Sequence, residues 1–203
     1  YINFKSNVDF NTGAGFSLLF RRLYNYSSSL PDIAGIAGTA LFFDAKAGAF
    51  RTGNINNSEK GQYSAAMGLG VTANGFASTA MGAGVTAGGN ASTAMGLSVT
   101  AGGFASTAMG FNTTATGENS TAMGRQTFAR GDYSTAMGNF TSTSGENSTA
   151  MGRLTNASGE NSTAMGKYTD ATGYASTAIG DSSLAGGSVS FATGFRTTAG
   201  GDY

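Results

Sequence analysis

The sequence predicts an all-β fold, a parallel β-roll wound in coils of 14 residues, and two observations predict it. All eight methionines fall on one grid, at Met67, Met81, Met95, Met109, Met123, Met137, Met151 and Met165, with Ile179 in the ninth place. Glycine recurs on the same period in two columns seven residues apart, one from Gly68 to Gly180 directly after the methionine place, the other from Gly61 to Gly201. At ~3.3 Å per residue a coil traces about 46 Å, enough for two strands of about five residues and two tight corners, and far too little for a pair of helices. The glycines are expected at the corners, where they enter positive φ without a Cβ clash. One such unit cannot bury its apolar face alone, so the units must stack.

The grid fails before Gly61, because Ala47 stands where the preceding glycine would fall, and this sets a boundary between Asn54 and Gly61. Residues 1–60 read as a small β-rich unit that caps the open end of the roll or docks onto another fibre protein. Within it Phe16 to Phe20 reads as a strand, and Ser27 to Asp32, with the single proline, reads as a loop. Thr39 to Asp44 and Ala49 to Thr52 flank Ala45 to Gly48 as a β-hairpin. Residues 61–203 form the roll, in which an eleventh coil opens at Gly201 and points to a chain that continues.

Inside each coil the first strand reads Ser-Thr-Ala-Met, as at Ser120 to Met123. The pleat puts Ser120 and Ala122 on one face and Thr121 and Met123 on the other. The second strand supplies a column from Val71, Val85 and Val99 to Thr113, Thr127 and Thr141, and an alanine column including Ala73, Ala87 and Ala129. A coil this short has a narrow interior, so serine, alanine and valine or threonine are expected inside it. The Thr and Met columns, with Thr79 and Thr121 among the threonines, then form an exposed apolar stripe that marks an interface, and self-association is the simplest cover. The competing reading places the methionines inside the roll as ordinary core. The last coil keeps Ser190, Ala192 and Gly194 but carries Phe191 and Thr193 for Thr and Met, a volume-conserving exchange within one packed environment.

Composition narrows the function. Eleven basic residues balance eleven acidic ones, which gives no electrostatic footprint for nucleic acid or a membrane surface. Histidine and cysteine are both absent, so the usual general base, zinc ligands and thiolate chemistry are missing, and no nucleophile, base and orienting group assemble in the sequence. The reading is a non-enzyme without a cofactor or metal site, and no stretch is long enough to insert in a membrane. Gly82 to Gly88 lacks the spacing, lysine and following helix of a phosphate loop.

Glu118, Asp132, Glu146 and Glu160 share one column, with Arg125, Arg153 and Lys167 across the first strand from them. These read as solvated or inter-chain ion pairs rather than as a cation site. Phe104, Phe111, Phe128, Tyr133, Phe140, Tyr168 and Tyr174 interrupt otherwise small or polar places and are the candidate ligand surface, against the plainer reading that they cover turns or fill inter-chain grooves.

The run Asn119-Ser-Thr-Ala-Met-Gly124, repeated at Asn147 to Gly152 and Asn161 to Gly166 and followed by Thr127, Ala129 and Gly131 at the matching spacing, resembles the head repeats of trimeric autotransporter adhesins of the YadA type. The resemblance implies a left-handed roll, a homotrimer and an extracellular adhesive role at a bacterial surface towards a glycan or protein ligand. Similar repeats occur in tail fibres of phages and contractile injection systems, which keeps a purely architectural fibre or spacer as the alternative.

Overall fold

The computed structural model describes residues 40–44 and 48–201. The expected strand at Phe16 to Phe20 and loop at Ser27 to Asp32 lie outside the described residues. The described chain opens with a hairpin in which β1 (Ala40–Asp44) pairs antiparallel with β2 (Ala49–Lys60), Phe43 opposite Phe50. β2 then lies parallel to β3 (Ala65–Ala73), so the hairpin's second strand is also the first rung of the stack.

From there the chain winds as a β-solenoid of about ten turns. Each coil gives one strand of five residues and one of two, from β4 (Thr79–Ala83) and β5 (Thr86–Ala87) through β10 (Thr121–Arg125) and β11 (Phe128–Ala129) to β20 (Phe191–Phe195) and β21 (Thr198–Ala199). Long strands pair with long strands and short with short, all parallel and in register: Thr121, Ala122 and Met123 sit against Thr135, Ala136 and Met137, and Phe128 against Ser142. The expectation of two strands of about five residues is corrected here. The second strand is short because its ladder ends at the alanine, after which the chain already turns.

The interior is lined as the pleat requires. Ser120, Ala122, Thr127 and Ala129 are buried, as are their counterparts along the roll up to the last coil, where Thr197 and Ala199 are half-buried, and Val71, Val85 and Val99 hold the threonine place in the early coils. Most of the core side chains carry one to three heavy atoms, which lets the two ladders approach closely. Ser120 Oγ donates to the carbonyl of Gly117 at 2.7 Å, closing the turn that leads into the long strand.

The corners match expectation only in part. The Gly117 column opens the turn before the long strand, but the left-handed residue there is Asn119 (φ 53°); before the short strand it is Gln126 (φ 52°), a place that Gly70 and Gly84 hold in the first two coils, and the non-glycine pattern recurs at Tyr133 and Phe140. Each such residue is tied to the coil below: Asn119 N donates to Phe104 O at 2.7 Å, and Gln126 N to Phe111 O at 2.8 Å. Stacking thus offsets a backbone cost of about 1 kcal/mol per corner. Both glycine columns permit close approach, and the one from Gly68 to Gly194 also keeps the positive φ expected of glycine, inside the long strand rather than at a corner. A Cβ on Gly103 would lie 2.0 Å from the carbonyl oxygen of Gly117 in the next coil, and Gly124, at φ 125° within the long strand, meets the same obstacle at Gly138.

Candidate interaction surfaces

Three outward surfaces follow from this winding: the face of the long strand, the two corners that bound it, and the face of the short strand. On the long-strand face Thr121 and Met123 point away from the interior in every coil. Met67, Met81, Met95, Met109, Met123, Met137 and Met151 are partly covered by their neighbours above and below, while Met165 and Ile179 remain 36% exposed. The face ends at Phe191 and Phe195, which are 63% and 66% exposed. Thr79 and the later threonines lie half-buried beside the methionines.

The seven aromatic candidates do not converge on one site. Phe104, Tyr133 and Tyr174 stand exposed at the corner before the long strand, and Phe111, Phe140 and Tyr168 at the corner after it. Phe128 alone lies on the short-strand face, half-buried, with the Arg130 guanidinium 4.6 Å from its ring centre. Arg125 reaches over Phe140 at 5.8 Å and Lys167 over Tyr168 at 4.9 Å, so basic side chains cover part of the second corner's rings. Tyr63 and Phe76 meet edge to face at 5.4 Å on the first corner. The aromatic candidates named from the sequence include neither this pair nor Phe191, although Tyr63 shares the column of Tyr133 and Phe76 that of Phe104.

Charge on the corners is sparsely paired. Lys167 Nζ lies 3.5 Å from Asp181, and the Ser182 hydroxyl, together with Lys167 and Arg196, holds the Asp181 carboxyl below its ordinary range. Asp132 accepts a hydrogen bond from the backbone N–H of Glu118 at 2.8 Å, which relieves one contact in the acidic column. Among the described residues no three acidic, cysteine or histidine side chains gather to hold a metal ion.

One interior residue escaped the sequence reading altogether. Arg51 sits opposite Ala66, 1% exposed, and its guanidinium donates to Phe50 O, Ser64 O, Ser64 Oγ and Ala73 O at 2.6 to 3.1 Å. It fills the end of the roll. Its spacing from Ala66 is fifteen residues rather than fourteen, so the grid could not find it.

A model of the YadA head domain repeat, in two copies, matches residues 101–127, 115–141, 129–155, 144–169 and 171–197, each match taking in two consecutive coils of the geometry described above. Residues 101–197 are YadA-like head repeats. Heads of this family are trimeric in general, belong to adhesin-like fibres of the bacterial surface, and are structural rather than enzymatic. The coils over residues 61–100 lie outside the matched segment but continue the same ladder, Met81 against Met95 and Met95 against Met109. A search of curated proteins finds no match.

Proposed function

We propose that this chain forms part of a homotrimeric fibre head at a bacterial surface, with the Thr and Met columns of three parallel copies turned towards a common axis and attachment made non-covalently by the remaining faces. The observation that supports this is the methionine column from Met67 to Met165, continued by Ile179, lying outside the narrow core on successive coils. Rungs ~4.8 Å apart join these side chains into one apolar stripe, which a lone chain would leave to water. Thr79 and Thr121 flank the same stripe. Around such an axis the short-strand face points outward, which makes Phe128 with Arg130 the most accessible of the aromatic candidates, while those on the corners border the grooves between copies.

Sedimentation of the full chain tests the assembly. The expected mass is three times the 20.3 kDa of one chain, and Met137→Lys with Met151→Lys is expected to give a monomer that keeps its β circular dichroism. A monomeric native chain would overturn the reading. Binding to a glycan and matrix-protein array that is lost in Phe128→Ser supports attachment; a trimer that binds nothing on the array is an architectural fibre.

A further inference from the structure

The two corners that bound the long-strand face carry opposite charge, and their charge begins at the same coil. Up to Phe104 and Phe111 neither column is charged; from Gly117 onward the corner before the strand carries Glu118, Asp132, Glu146 and Glu160, and the corner after it carries Arg125, Asn139, Arg153 and Lys167, followed by Asp181. Asp132 shares its coil with the uncharged Asn139 and accepts from the Glu118 N–H, but Glu118, Glu146 and Glu160 each stand in the same coil as a base, seven residues away, which makes three couples of six side chains. Across an extended strand that is about 20 Å, well beyond the reach of an ion pair. All six side chains are exposed, and among the described residues no ion pair joins an acid of the first column to a base of the second. The correspondence therefore has no use within one chain.

It has a use between chains. In a closed ring of copies running the same way, the leading edge of each copy faces the trailing edge of the next. We propose that these corner columns meet between copies of this chain, level with one another, so that Glu118, Glu146 and Glu160 of one copy pair with Arg125, Arg153 and Lys167 of the next. The inference rests on the assembly proposed above and adds its order and its register. Sliding one copy by a coil in one direction pairs Asp132 with Arg153 and Glu146 with Lys167 but sets Glu160 against Asp181 and Glu118 against Asn139; sliding it the other way pairs Asp132 with Arg125 and Glu160 with Arg153 but sets Glu118 against Phe111 and Glu146 against Asn139. The level arrangement gives three of the four acids a base and sets no acid against an acid, whereas either slide gives a base to only two. Since seven or more rungs of the methionine stripe stay in contact after a slide of one coil, the stripe alone discriminates weakly and the charges favour the level.

The chain has no cysteine of its own, so engineered thiols report the contact cleanly. Glu146→Cys combined with Arg153→Cys, treated with a bis-maleimide too short to span the two places within one chain, is expected to run as a covalent trimer on a denaturing gel. Glu118→Cys with Arg153→Cys, two coils out of level, is expected to cross-link only weakly. A trimer by sedimentation in which the level pair fails to cross-link, or in which the displaced pair does so equally well, overturns the corner contact while leaving the trimer standing. A monomer by sedimentation removes both.

Discussion

At the scale of single residues, the roll is governed by how little room each coil leaves. The buried hydroxyls of Thr113, Thr127, Thr141, Thr155 and Thr169 have no hydrogen-bond partner, whereas Val71, Val85 and Val99 hold the same place with a methyl instead. Thr127→Val is therefore expected to raise stability by about 1 kcal/mol per chain, read as a higher denaturation midpoint, because an unpaired buried hydroxyl is exchanged for an isosteric apolar group. Two adjacent glycines make the opposite comparison. A Cβ at Gly102 meets only the Thr116 methyl at 3.6 Å and a carbonyl at 4.0 Å, while at Gly103 it meets three backbone atoms at 2.0 to 2.8 Å. Gly102→Ala is expected to be neutral or to stabilise by up to about 1 kcal/mol by restricting the unfolded chain. Gly103→Ala should split the stack at that coil and lower the melting midpoint sharply in the same thermal scan.

At the scale of the element, each long strand is extended because serine and alanine face inward while threonine and methionine face outward, and it ends where a left-handed corner is bonded to the coil below. The first rung has no coil of the regular kind beneath it. Arg51 takes that place, using its planar fork of donors on carbonyls that already accept one backbone bond each, such as Ser64 O from Phe50 N and Ala73 O from Gly61 N. Arg51→Met, which keeps most of the volume, is expected to cost about 2 kcal/mol. Because a solenoid's stability is a sum over neighbouring coils, the loss stays local. Hydrogen exchange should speed up over Ala65 to Ala73 and remain unchanged beyond the middle of the roll; uniform acceleration would show that the arginine supports more than the end.

At the scale of the whole molecule, a chain with no net charge and a core built of alanine and serine gains little from each coil and repeats that gain about ten times. The gain available from association is of a different kind. A fully buried methionine contributes about 2 kcal/mol, so even partial burial of the column summed along the face outweighs the ~0.5 kcal/mol of an exposed ion pair. In the assembly proposed above the stripe therefore supplies most of the free energy of association, and the corner charges bias the alignment. Hence lysine at Met137 and Met151 is expected to abolish assembly, while cross-linking at Glu146 and Arg153 reads alignment alone.

Periodicity alone fixed the coil length, the parallel register, the faces of the long strand and the small-residue core, because a strict 14-residue repeat leaves one way to superpose identical side chains in ladders. Three things were decided only by the folded structure. Apart from Gly70 and Gly84, the left-handed corners fall on residues such as Asn119 and Gln126 rather than on glycine, since hydrogen bonds to the coil below offset a conformation that local preference disfavours. The glycines are required by the approach of the next coil's backbone, a contact between residues fourteen apart that no local rule encodes. Arg51 enters the interior because the first rung departs from the repeat, setting it opposite Ala66, where its donors reach the free lone pairs of Ser64 O and Ala73 O.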